Sequence, residues 1–298
     1  MSDDHGDTPG PDVHGDTPGP DVHGDTPGPD VHGDTPGPGS WLRTGIGTSS
    51  PDAITIRGRN LARDLMGTVT FTEHAFLIAA GRLPTPGETK LFDAVLVALA
   101  DHGLTPTVLA ARLTYLGAPE SIQGAIAAGL LGGGSVFLGV VEDTARFLHA
   151  ILDDLGAGPT EDALRAAAAG AVAEAVASGR RIPGLGHPVH KIEDPRTPRL
   201  FAIAAEGGLE GPHLTLLRHV AAAHGEATGK ALPVNGAGAG GAALADLGFP
   251  PELVRGFAIL ARAAGLVGHL AEEMKHPLAM ALYREVEERA VYVTEESP

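Results

Sequence analysis

The segment RIPGLGHPVHKIEDPR (181–196) concentrates groups that move protons and hold anions in a stretch rich in glycine and proline. It carries His187, His190, Lys191 and Arg196. A glycine beside a histidine admits close substrate approach, and an imidazole exchanges its proton near neutral pH. Arg196 offers a planar fork to a carboxylate or phosphate. From these residues alone the segment reads equally as an anion-binding catalytic loop or as a helix-capping connection. The Gly-Leu-Gly triplet is a weak dinucleotide signal, because no buried strand or βα unit surrounds it.

Two further stretches carry chemistry. ADHG (100–103) closes an amphipathic pattern over 87–103, where its plain reading is a C-cap glycine beside a histidine that favours the negative end of the helix dipole. LPVNGAGAGGAALADLGFPPELVRGFAILARAAGLVGHLAEE (232–273) is a Gly/Ala-rich turn leading into two helices, with Arg262 inside an otherwise apolar stripe. A lone arginine there is costly unless an anion pairs with it. A ligand carboxylate and an internal acid serve that need equally well.

These residues must be positioned by helices. After a small hairpin expected in 41–60, helical patterns fall at 71–84, 87–103, 105–117, 119–134, 139–156, 160–179, 197–207, 211–228, 238–247, 251–271 and 277–289. No run of buried strands alternates with them, so the fold class is all-α. The chain has 298 residues, with 42 Gly, 24 Pro, 4% aromatics and no cysteine, so its core is built of Ala, Leu, Val and Ile without disulfides or thiolate ligands. A net charge of -16 argues against a nucleic-acid groove or an anionic membrane surface as partner. The start, MSDDHGDTPG, lacks the basic and apolar regions of a signal peptide, and the apolar stretches look interrupted before 18 residues. The expectation is a cytoplasmic chain with no membrane span. Residues 1–40 repeat HGDTPGPDV from His5, His14, His23 and His32 and hold no Lys or Arg. This tail is expected to be disordered, because it has too little apolar surface to offset its ordering entropy.

The three chemical stretches together carry a resemblance. GLGHPVHKIEDPR resembles the G-x-G-H-x-V-x-K-x-x-DPR signature of the citrate synthase superfamily. ADHGLTPTVLAAR resembles its helix-ending ADH segment, and NGAGAGGAALADLGFPPELVRGFAILARAAGLVGH its C-terminal helical region. The texture is closest to short citryl-CoA lyase-like members. The resemblance implies a citrate synthase-like two-domain helical fold, with 41–140 and 233–298 as the large domain and 141–232 as the small one. It implies a homodimer, no permanently bound cofactor, no metal, and a coenzyme A thioester as substrate.

By the same resemblance His102 binds the dicarboxylate, and His187 works on the carbonyl or hydroxyl oxygen, taking the hydroxyl proton in the cleavage direction. Arg196 and Arg262 hold carboxylates, and Lys275 stands where a partner subunit donates an arginine. His190 and Lys191 fall to coenzyme A. Two positions depart from synthases. A histidine that lyase-like members also lack gives way to Phe137 or Leu138, and the aspartate of an Asn-Val-Asp motif, shared by synthases and most lyases, gives way to Ala237, leaving Asn235 or a backbone N–H of 235–241 as oxyanion donor.

The function expected first is cleavage of citryl-CoA to acetyl-CoA and oxaloacetate. Citrate or methylcitrate synthase is the alternative reaction, and a non-catalytic acyl-CoA-binding homologue the alternative class. Deleting residues 1–40 is expected to leave the melting temperature within about 5 °C of the full chain. A larger loss in a thermal scan would show that the tail is part of the fold.

Overall fold

In a computed structural model of the protein, residues 43–294 are described. The chain divides after Gly45, and the helical body with its small sheet begins at Ile46. The tail expectation concerns residues 1–40, which lie outside the described residues.

Three short antiparallel strands, β1 (Gly47–Ser49), β2 (Ile54–Ile56) and β3 (Arg59–Asn60), pair in sequence order, with Gly47 opposite Ile56 and Thr55 opposite Asn60. The third escapes a sequence reading because two residues carry no period. Helices follow: α1 (Phe71–Ala80), α2 (Pro86–Ala100), α3 (Pro106–Gly117), α4 (Ile122–Leu131), the short α5 (Gly134–Leu138) and α6 (Val140–Leu155). Then come α7 (Glu161–Ala177), α8 (Arg196–Glu206), α9 (Pro212–Thr228), α10 (Gly236–Asp246), α11 (Pro251–Lys275) and α12 (Ala279–Arg289).

Local chemistry sets these boundaries. Thr70 with Glu73 and Thr85 with Glu88 form reciprocal capping boxes at the starts of α1 and α2. The α2 helix ends at Ala100, short of the expected 103. Asp101 is extended there, and its carboxylate takes the backbone N–H of Gly103 at 3.0 Å and that of His102. This side-chain turn outcompetes another helical turn. His102 therefore stands in a loop beyond the helix, not in its last turn.

The main core joins the flanking segments to the stretch 141–232: Leu148, Leu164, Leu214 and Leu217 belong to the same buried cluster as Phe92 and Leu244. Phe92 lies at its aromatic centre, edge-on to Phe76 and Phe257 with ring centroids 5.5 and 4.9 Å away. The 25-residue α11 overturns the expectation that every apolar stretch breaks before 18 residues: it is long and apolar enough to cross a membrane. In this fold it packs against α2, α3, α4 and α6, and buries Arg262 and Glu273.

Candidate active site

A cleft of about 790 Å³ opens where the 181–189 loop faces the end of α2, the α5–α6 junction, α10 and α11. Its lining includes His102, His187, Arg196, Asn235 and Arg262. These five come from three separate stretches of sequence, and the fold brings them to one surface.

The loop is held in place by one buried carboxylate. Asp194 has no exposed side-chain surface and accepts from Arg196 Nε at 2.9 Å, Arg196 Nη2 at 2.7 Å and the Gly236 N–H at 2.8 Å. Burial alone would raise its pKa. The bonds from Arg196 and Gly236 outweigh burial and hold the carboxyl well below the usual range. A short antiparallel bridge between Leu185 and Val234 adds backbone bonds from Gly186 to Pro233 and from Asn235 to Gly184. The two chain segments approach so closely that a Cβ on Gly238 would lie 2.6 Å from the Cα of Gly184, a distance no side chain tolerates.

Asn235 serves this same junction. Its Oδ1 accepts from the Gly238 N–H and caps α10, while Nδ2 donates to the Gly186 carbonyl at 2.8 Å. One amide hydrogen remains for other use. Arg196 likewise differs from expectation. Its fork is already engaged by Asp194, and Nη1 donates to the Ala98 carbonyl at 3.2 Å.

Arg262 keeps its donors unspent. Its side chain is almost fully buried, and neither Nε nor Nη1 has a hydrogen-bond partner among the described residues. Burial pushes its pKa down from the usual arginine value, and nearby Asp101 opposes that shift. An arginine nonetheless stays charged, and leaving a buried charge unpaired costs on the order of several kcal/mol. The internal acid allowed by the sequence does not bond it, so the arrangement calls for a ligand anion.

The histidines have defined polarity. The N–H groups of Val189 and His190 point at His187 Nδ1 at 3.1 and 3.0 Å. That nitrogen accepts, which puts the neutral ring's hydrogen on Nε2. Burial holds the His187 pKa below the ordinary histidine value, so the ring is a neutral donor at pH 7. His102 and His190 lie with ring centroids 5.2 and 4.4 Å from it. Ligand atoms of the three rings fall within 4.8 Å of one another, but the trio does not fit a cation: His187 Nε2 carries hydrogen, and three arginines, Arg181, Arg196 and Arg262, line the same cleft.

The remaining expected residues sit apart. His190 is half-buried behind His187, and Lys191 donates to the His187 carbonyl, so both shape the loop and neither lines the cleft. Lys275 is exposed at the end of α11, away from this chain's cleft. Phe137, Leu138 and Ala237 do line it, making that wall apolar.

Sequence reasoning missed Asp194, although it stands within the DPR triplet, and a relay, buried at Arg112 and Glu273, that leads to the turn before His102. In that relay Glu273 accepts from Arg112 at 2.8 Å, Arg112 donates to His269 Nδ1 at 3.0 Å, and His269 Nε2 donates to Asp101 at 2.7 Å. Glu272 is also bonded to Arg112. Arg112 is fully buried. The only available signal was an arginine in the apolar pattern of α3.

Residues 85–284 match the family described as citrate synthase, C-terminal domain. The structure is similar to citryl-CoA lyase from Hydrogenobacter thermophilus, at 35% identity and a TM-score of 0.75, covering 86% of this chain and 95% of that one. It is similar in fold to Methanosaeta concilii ATP citrate lyase in complex with (3S)-citryl-CoA, at 21% identity and a TM-score of 0.67, covering 86% of this chain and 42% of that one. Among curated proteins, citrate synthase-like protein oryE of Aspergillus oryzae is 26% identical over 205 residues, 67% of this chain and 43% of its own length. The chain thus spans less than half of those last two relatives.

Asp194→Asn is expected to cost about 3–5 kcal/mol at pH 7 in urea unfolding, because it leaves Arg196 without its partner. A carboxylate with a depressed native pKa contributes fully above its unfolded value, about 3.9, and loses that contribution as the pH falls below it. The gap between wild type and variant should therefore narrow below about pH 4. A gap that stays constant to pH 2 would contradict the assignment.

Proposed function

The chain belongs to the citrate synthase family, and from that premise we propose that it cleaves citryl-CoA to acetyl-CoA and oxaloacetate. The observation that carries this reading is the buried, unpartnered guanidinium of Arg262 facing the same cleft as the neutral Nε2–H of His187. One is suited to a substrate carboxylate, the other to the oxygen of a carbonyl. Similarity to a citryl-CoA lyase over nearly its whole length supports cleavage over condensation. So does the wall at Phe137 and Leu138, where the histidine of synthases is absent.

Citryl-CoA is a β-hydroxy thioester. Loss of its tertiary hydroxyl proton leaves the O–H electron pair on oxygen, and that pair forms the second C–O bond of the oxaloacetate carbonyl. The adjacent C–C bond breaks, and its electron pair passes to the thioester as an acetyl-CoA enolate, which then takes a proton on carbon. In this scheme Arg262 and the free N–H groups of Arg196 hold carboxylates, while His187 donates to the oxygen that becomes the carbonyl. The 141–232 segment acts as the smaller domain that presents the His187 loop, and coenzyme A is substrate, not resident cofactor.

In the dimer reading, Lys275 of a second copy would complete the cleft. An active monomer by light scattering at micromolar concentration would contradict it. Purified full-length protein incubated with citryl-CoA should yield equimolar acetyl-CoA and oxaloacetate by mass spectrometry. Arg262→Gln should weaken citryl-CoA binding about 10- to 100-fold, the equivalent of roughly 1.5–3 kcal/mol for a charged hydrogen bond. Condensation without cleavage would favour a synthase. Binding without turnover in either direction would favour the non-catalytic homologue.

A further inference from the structure

We infer that His269 is a positioning residue for substrate binding: it holds the Asp101 carboxylate away from Arg262, so that the donors of Arg262 stay open for a substrate carboxylate. The inference rests on the reading that Arg262 binds such a carboxylate, and adds what keeps that arginine unpaired.

A buried, unpaired guanidinium draws in any acid that can reach it, because its planar fork takes a carboxylate through two parallel bonds. Asp101 is the acid placed to do so. Arg262, Gly265 and His269 stand at i, i+3 and i+7 on one face of α11. The end of α2 lies against that face: a Cβ on Gly265 would strike the Ala100 carbonyl oxygen and lie 3.5 Å from Asp101 Cβ. Asp101 thus sits between a guanidinium one turn before Gly265 and an imidazole one turn after it. Its charge acts on Arg262, yet neither Nε nor Nη1 of that arginine is bonded among the described residues.

Packing alone does not hold Asp101 off, since its side chain is half exposed. Its bonds do. Oδ2 accepts from the Gly103 N–H at 3.0 Å, and Oδ1 accepts from His269 Nε2 at 2.7 Å. The Gly103 bond is a local side-chain turn that needs only one carboxylate oxygen. The bond from His269 engages the other. Burial raises the Asp101 pKa, but the bonds from Gly103 and His269 outweigh it and keep the group a carboxylate. Released from His269, that carboxylate would compete with substrate for Arg262.

The direction of the His269 bond is set from behind. An arginine has no acceptor, so Arg112 Nη2 donates to His269 Nδ1, at 3.0 Å, and the neutral ring carries its hydrogen on Nε2, toward Asp101. Arg112 is itself fully buried and held by Glu273 at 2.8 Å and by Glu272. Glu273 accepts in turn from the Leu278 and Ala279 N–H groups at the start of α12. Turning the His269 ring away from Asp101 would take an acceptor from a buried guanidinium, which is expensive. The imidazole is thereby locked as a donor aimed at the acid that would otherwise close the substrate site.

The test is oxaloacetate binding to the full chain, measured by calorimetry at pH 7. His269→Asn keeps an acceptor for Arg112 and removes the donor to Asp101. It should weaken oxaloacetate binding about 10- to 100-fold, the size of one charged hydrogen bond. Adding Asp101→Asn keeps an acceptor for Gly103 and removes the competing charge. That double variant should bind within about threefold of wild type, a coupling that loss of structure alone would not produce. A crystal structure of His269→Asn should show Asp101 bonded to Arg262. Wild-type affinity in His269→Asn, or a loss that Asp101→Asn does not reverse, would overturn the inference. The reading of Arg262 would still stand if Arg262→Gln weakened binding. Failure of the wild type to bind oxaloacetate, or equal affinity in wild type and Arg262→Gln, would overturn both. One readout needs no variant to fold: nitrogen-15 spectra of histidine-labelled wild type should show His269 with its hydrogen on Nε2. An Nδ1–H tautomer there would equally overturn the inference.

Discussion

The site depends on the burial of Asp194. A carboxylate with no exposed surface survives only if nearly all its lone pairs are used, and here the two groups that use them belong to different parts of the chain. Arg196 begins α8, and Gly236 begins α10. Their meeting at Asp194 ties the end of the 181–196 segment to α10, and the bonds of Gly186 to Pro233 and Asn235 hold the stretch beside His187. The close contact between Gly184 and Gly238 follows from the same junction. A larger residue at either glycine would push the loop away and break the bonds to Asp194.

A second polar construction supports the opposite wall. The α12 N-terminus, through Leu278 and Ala279 N–H groups, binds Glu273, which holds Arg112, then His269 and finally Asp101. Each bond in it has a defined donor and acceptor, and only Arg112 Nε among its described donors lacks a partner. It ends at the turn that carries His102. Between the two constructions lies Arg262, with its Nε and Nη1 unspent. Asp194 and Arg112 each have an ion-pair partner, whereas Arg262 has none among the described residues.

Much of this was legible in the sequence. Helical periodicity, capping threonines and glycine stops located nearly every helix, and the collinear motifs brought His102, His187, Arg196 and Arg262 to one cleft. What escaped depended on partners distant in sequence or hidden inside a motif. Arg196 looked free because Asp194 read as part of a motif and not as its counter-ion. Asn235 looked like an oxyanion donor because its cap at Gly238 and its bond to Gly186 arise only once the loop meets α10. The end of α2 moved because a side chain, Asp101, captured the N–H groups beyond it. In each case local pattern placed the residue and tertiary hydrogen bonding set its chemical role.

The two walls together should form one pocket for a keto-dicarboxylate, with the charge of Arg262 and the Nε2–H of His187 directed at the same molecule. A crystal structure of the full chain with oxaloacetate tests this most directly. One carboxylate is expected on Arg262 and the keto oxygen within about 3 Å of His187 Nε2, a normal hydrogen-bond distance. Oxaloacetate bound elsewhere at saturating concentration, with Arg262 still unpartnered, would contradict it.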